Sequence, residues 1–218
     1  MNSNQLKWRF NLVGRFYNPV KRLVLGTTPE AVIGKTIKEL ETFHNVLVVG
    51  GGADNCVSEL IQNQKSKKIT LVDVSATLLE EAKVRIQNRN TSKVDIALIN
   101  CAFLDFESTK KFDLVIFPFY LDLFSDQEVH QNIMHVSSKL NNMGKVLIID
   151  FSSSKKQSFI NQVKVALLYA LFLPISGTFR LAIPNYYLLF STFDFQLIRE
   201  RTHASRLYNS QIFQYREV

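Results

Sequence analysis

Four consecutive aliphatic residues, Val46-Leu47-Val48-Val49, run straight into Gly50-Gly51-Gly52-Ala53-Asp54, and further on a second apolar run, Ile69-Thr70-Leu71-Val72, ends on Asp73. Unbroken β-branched and aliphatic runs of this kind are strands buried on both faces, which is what a parallel sheet covered by helices requires. Glycines just past such a strand let the backbone turn sharply and let a ligand approach it, because no Cβ stands in the way. A carboxylate at the tip of the next strand is placed to accept hydrogen bonds from ribose hydroxyls. The two runs together therefore predict an α/β fold with a nucleotide-type cofactor site.

The rest of the chain extends this alternation. Strands are expected near 46–50, 69–73, 94–99, 112–117 and 144–151, with helices near 54–64, 76–90 and 126–140 between them. Ser125-Asp126-Gln127-Glu128 opens the last helix as a capping box, in which serine and glutamate satisfy each other's free backbone amides. Before the first strand, Leu6, Phe10, Val13, Tyr17, Val20 and Val24 recur at spacings of three and four, the signature of a helix with one apolar face. Asn18-Pro19 and Thr28-Pro29 each suit a helix start, the second helix running to about Phe43. After Phe151 come a Ser/Lys-rich turn, an apolar helix around 157–173 and two β-rich segments near 195–201 and 207–215.

At 218 residues, 46% apolar and 21% charged, the chain fits one domain with a large core. Its polar start lacks the apolar core of a signal peptide, and its two cysteines, Cys56 and Cys101, make neither a disulfide framework nor a four-ligand metal site. A reducing, cytoplasmic setting is expected. The most lipid-like run, residues 165–175, is about half the length of a membrane span and is interrupted by Pro174. The net charge of +7 is concentrated in residues 1–38, where seven basic residues face Glu30 alone. Such a surplus either attracts nucleic acid, phosphates or an anionic surface, or forms the solvated face of amphipathic helices.

Two cofactor classes use a glycine turn after the first strand. The dinucleotide fingerprint G-x-G-x-x-G needs a third glycine for close helix packing, and counting from Gly50 and Gly52 that place is taken by Asn55. The order of motifs instead resembles the class I S-adenosylmethionine-dependent methyltransferases over residues 45–151, in particular small-molecule enzymes similar to the quinone-biosynthesis methyltransferases. The resemblance implies a doubly wound, mostly parallel seven-stranded sheet with helices on both faces and an antiparallel last strand.

It also implies roles for individual residues. Gly50, Gly51 and Gly52 would hold the methionine end of the cofactor, and Asp73, with Val74 beside it, the ribose. Asn100-Cys101-Ala102-Phe103 would face the adenine, and the end of Phe112-Asp113-Leu114-Val115-Ile116-Phe117 the methyl group. The stretch from Leu140 through Gly144 to Phe151 resembles the glycine turn that leads into the fifth strand. This chain departs from the family at Val48, where an acid is common, at Asp54, where a glycine is usual, and at Cys101, where an aspartate is usual. Asp54 either binds the ammonium of the cofactor's methionine or caps the following helix.

Transfer of methyl from a sulfonium is an in-line displacement that depends mainly on positioning and desolvation, so no catalytic signature is obligatory. After the fourth strand, Phe117-Pro118-Phe119-Tyr120-Leu121-Asp122 stands where methyltransferases of base or amide nitrogens carry an Asp or Asn able to accept a hydrogen bond. Phe117 accepts none, which points to an apolar or aromatic small-molecule acceptor. Tyr120 and Asp122 are the candidates for polar work beside it. Tyr17, before Asn18, resembles the lid tyrosine of the same enzymes, its alternative being core on the helix stripe. Phe172, Phe179, Tyr186, Tyr187 and Phe190 line an acceptor pocket or fill core. His44, His130, His135 and His203 have no metal-ligand spacing.

The expected activity is thus methyl transfer from S-adenosylmethionine to a small acceptor, leaving S-adenosylhomocysteine. The N-terminal 1–44 would serve as a helical lid and 152–194 as an insertion shaping the acceptor pocket. The competing functions are an NAD(P)-dependent oxidoreductase and a non-enzymatic cofactor-binding or interaction module whose basic N-terminus meets nucleic acid. Oligomeric state is not legible in the sequence.

Overall fold

A computed structural model of the chain describes residues 25, 28–88, 94–152, 163, 166, 183–204 and 206–216. Strands β1 (Phe43–Val49), β2 (Ser66–Asp73), β3 (Asp95–Asn100), β4 (Phe112–Pro118), β5 (Leu140–Phe151), β6 (Phe195–His203) and β7 (Tyr208–Tyr215) form one seven-stranded sheet. Their order is β3-β2-β1-β4-β5-β7-β6. Strands β1 to β5 pair in parallel, and β7 runs antiparallel to both β5 and β6. This is the doubly wound sheet with an antiparallel last strand that the resemblance implied.

The helices are α1 (Thr28–Lys38), α2 (Cys56–Gln62), α3 (Ala76–Gln87), α4 (Asp126–Lys139) and α5 (Tyr186–Ser191). Because side chains alternate along a strand, Val46 and Val48 pack with Ile33, Ile37, Leu60 and Leu79 on one face of β1. Leu47 and Val49 pack with Val129, Ile133 and Val136 on the other. All four β1 residues are at most 1% exposed, which is why the run shows no polar alternation. The capping box forms as expected: Ser125 Oγ accepts from Glu128 N, and Glu128 Oε2 accepts from Ser125 N at 2.9 Å.

Of the boundaries that differ from expectation, three have a local structural cause. The helix from Thr28 ends at Lys38 rather than near Phe43, since Phe43 N donates to Lys65 O at 2.8 Å and already belongs to the sheet. The helix expected from 54 starts at Cys56, because the glycines first close a 3-10 turn, Gly51–Ala53. Strand β5 starts at Leu140 rather than 144, Leu140 pairing with Phe112 across a register shift before the regular ladder resumes at Lys145. The expected lid around Tyr17 lies outside the described residues, and so does the helix around 157–173 except for Val163 and Ala166, both of which are helical. Among the described residues no helix is long and apolar enough to cross a membrane.

Sheet order reverses between β1 and β4. In open α/β sheets ligands bind at such a switch point, in the crevice beyond the carboxyl ends of the two strands.

Candidate functional site

The glycine turn closes that crevice on the β1 side. Gly50 has φ 73° and ψ 15°, the left-handed region that glycine enters without strain. A Cβ at Gly50 would collide with the ring of Tyr120, and one at Gly52 would fall 2.7 Å from Asp73 Oδ2. Each glycine therefore lets another part of the site approach the backbone.

Asp73 is the second wall. It is 6% exposed, with Oδ2 accepting from Gly52 N at 3.0 Å and Oδ1 accepting from Ser75 N at 2.9 Å. Burial raises its pKa, and the two amide bonds oppose that rise. Asn100, its register partner across β3, donates from Nδ2 to the main-chain oxygens of Asp73 and Val74, at 3.0 Å each. Arg85 on α3 donates to Gly52 O, fastening the turn from outside. Sequence reasoning set Asn100 in the segment facing the adenine but missed its bonds to the acidic strand tip, and it gave Arg85 no part in the site. An amide directly opposite the acidic strand tip was the available signal for the first; the second had none.

Asp54 lies just before Asn55, the residue that caps α2. The Asp54 Oδ1 accepts from Cys56 N at 2.7 Å at the start of α2. Cys101 and Ala102 are partly exposed at the end of β3, and Ala102 precedes the 3-10 turn Phe103–Asp105. Phe117, 1% exposed, stacks on Tyr120 with centroids 5.5 Å apart and meets the edge of Phe103 at 5.6 Å. The Tyr120 hydroxyl donates to Asn132 Oδ1 at 3.4 Å, and its pKa is raised by burial first and then by Asp73 and Cys101. The glycine turn, Asp73, Cys101 and Phe117 thus converge around Tyr120 at the switch point.

A second polar group lies at the end of β5. Asp150, 1% exposed, accepts from Tyr186 Oη at 2.6 Å and from Phe151 N at 2.7 Å. Its pKa is raised well above the usual carboxylate range, by burial and then by the neighbouring Asp122, itself 4% exposed. The sequence suggested Asp122 and placed Tyr186 among the pocket aromatics, but gave Asp150 no role. The missed signal was an acid ending an apolar strand, the same mark that identified Asp73. Phe190 stacks on Phe213 at 4.5 Å in the core, whereas Tyr187 is 56% exposed. His135 is structural: its Nε2 pairs with Phe106 O at 3.0 Å, its ring meets Phe103, and burial lowers its pKa. Among the described residues no group of His, Cys, Asp and Glu could hold a metal ion. Tyr17, Phe172 and Phe179 lie outside the described residues.

The model of the ubiE/COQ5 methyltransferase family matches residues 29–192. Comparison with curated proteins by sequence returns no match. Among solved structures, the mitomycin 7-O-methyltransferase superposes with a TM-score of 0.74 at 11% identity, covering 96% of this chain and 60% of that one. This chain therefore spans less than two thirds of that enzyme's length. The magnesium protoporphyrin IX methyltransferase of Synechocystis PCC 6803, solved with S-adenosylhomocysteine bound, gives 0.67 at 14% identity, covering 94% and 96%. An S-adenosylmethionine-dependent methyltransferase from Clostridium acetobutylicum ATCC 824 gives 0.64 at 12% identity, covering 95% and 100%. At these identities the likeness is one of fold.

Proposed function

Because the chain belongs to the ubiE/COQ5 methyltransferase family, we propose that it moves a methyl group from S-adenosylmethionine to a small apolar or aromatic acceptor. The observation that carries this is the crevice between β1 and β4, where a left-handed glycine turn faces a buried strand-tip carboxylate across one hydrogen bond. The residues suit the cofactor: the turn excludes side chains, and each Asp73 oxygen accepts one amide while keeping a lone pair for a ribose hydroxyl. Gly50, Gly51, Gly52, Asp73, Val74, Cys101, Ala102 and Phe117 would hold it, with Asp54 ordering the following helix. When bound, the cofactor supplies an electrophilic methyl on a sulfonium.

The chain's own work is to align the acceptor and keep water away. Phe117, Tyr120 and Phe124 give the end of β4 an aromatic surface for this, with ring contacts of 4.9 and 5.5 Å around Tyr120. Where the acceptor loses a proton, Asp122 is the carboxyl group beside that surface to take it, Asp150 next to it holding its own proton. Segments 1–44 and 152–194 complete the pocket in this account, since the chain re-enters the described structure at Ile183 against Asp150 and Tyr186. Calorimetry on the purified protein is the test: S-adenosylmethionine should bind and NADH should not. A dissociation constant weaker than millimolar for S-adenosylmethionine refutes the proposal. Release of S-adenosylhomocysteine against a metabolite library then identifies the acceptor.

A further inference from the structure

Near the carboxyl end of β5, the start of α5 leaves a small cavity against the sheet. Asp150 pairs directly with Asn209 across the β5–β7 ladder, and Ile148 pairs with Gln211. Side chains two residues apart share one face of a strand, so these two cross-strand pairs form a single floor. Asn185 and Tyr186 close it from the side of α5. The cavity measures about 20 Å³, room for a single water-sized group. Its polar walls are held in place. Asn209 Nδ2 and Gln211 Nε2 donate to the same Glu200 oxygen, Oε1, at 2.7 and 2.8 Å. Each amide is thereby fixed with its carbonyl oxygen turned away from Glu200. The Tyr186 hydroxyl commits its proton to Asp150 Oδ2 at 2.6 Å, so toward any further group that oxygen can only accept. Asn209 Oδ1 is buried and has no hydrogen-bond partner among the described residues.

What these walls offer is mainly acceptor oxygen, and a buried acceptor left unpaired is costly enough to call for an explanation. The complement is a small donor. Charge selects its kind: burial and the neighbouring Asp122 hold the proton on Asp150, so no wall residue is negative enough to balance an ammonium, and a neutral hydroxyl or amide N–H fits instead. The place suits an acceptor as well. Strand β5 lies beside β4 and β7 beside β5, so the cavity stands one to two strand spacings, about 5–10 Å, from the end of β4. Resting on the methyl transfer proposed above, we propose that Asn209, Gln211 and Tyr186 form a specificity subsite that receives one neutral hydrogen-bond donor, a hydroxyl or an amide N–H, on the side of the acceptor away from its reacting atom.

The test uses the full chain saturated with S-adenosylhomocysteine and two probes of one shape, phenol with its hydroxyl and toluene with a methyl in the same place, titrated by NMR. Phenol should bind about tenfold more tightly than toluene, the worth of one hydrogen bond to a buried acceptor, and should shift the side-chain amide signals of Asn209 and Gln211. Asn209→Ala should bring the two probes within about twofold of each other and leave the affinity for S-adenosylhomocysteine within about twofold of wild type, a discrimination that a merely structural role would not move. The wild-type arm decides even where the variant does not fold: equal affinities, phenol binding without the amide shifts, or no phenol binding at all overturns the subsite. A preference for phenol that survives in a folded Asn209→Ala overturns it too. If S-adenosylhomocysteine itself does not bind, the methyl-transfer proposal falls; where it binds and the probes fail, the subsite alone falls.

Discussion

Replacing Gly50 by alanine should be among the most damaging single-methyl changes in this chain, and the structure divides its cost in two. A non-glycine residue held at φ 73° pays about 1–2 kcal/mol for the left-handed conformation. The new Cβ also points into the Tyr120 ring, which is pinned by Phe117 at 5.5 Å and Phe124 at 4.9 Å. Pushing that ring aside is overpacking, worth about 1–3 kcal/mol. The expected loss is therefore about 2–5 kcal/mol, measured by urea denaturation with an unchanged slope. The two parts separate in a double-mutant cycle with Tyr120→Ala: without the ring, Gly50→Ala should cost only the backbone part, about 1–2 kcal/mol. Equal losses in both backgrounds would show that the ring does not press on the turn. A loss under about 0.5 kcal/mol in the wild-type background would refute both parts.

Asp73→Ala should weaken S-adenosylmethionine by about 1–3 kcal/mol in calorimetry through lost ribose bonds, and also destabilise the free protein, because Gly52 N and Ser75 N lose their acceptor; unchanged affinity would mean that the cofactor lies elsewhere. Asp150 gives a pH signature. Its folded pKa lies above the unfolded one, so the fold holds a proton that the unfolded chain releases, and its contribution is full below the unfolded aspartate pKa of about 3.9 and declines as pH rises toward the folded pKa. Asp150→Asn, which mimics the protonated form, should flatten that part of the stability–pH curve in denaturation series, and parallel curves for variant and wild type would refute the assignment. Burial pushes the Cys56 thiol up, whereas Cys101 is partly exposed. Mass spectrometry after brief alkylation of the native protein should find label on Cys101 and not on Cys56; label on both would refute the burial argument.

What the sequence made legible was whatever a short stretch of chain decides by itself. A run such as Val46 to Val49 announces a strand covered on both faces, and glycines placed after it announce a turn that needs a left-handed residue, so the first half of the crevice could be read locally. Asp73 was legible because its position at a strand tip is itself a local fact. Asp150 carries the same mark and was passed over. The lesson is that the carboxyl end of every buried strand in a doubly wound sheet points into the ligand crevice, not only the end of β2. Tyr186 on Asp150 is of another kind: the hydrogen bond joins residues 36 apart, and nothing in either stretch encodes the other. The glycine turn advertises itself in sequence because its constraint is conformational, while a contact between distant elements, such as Tyr186 on Asp150, depends on topology and is visible only in the fold.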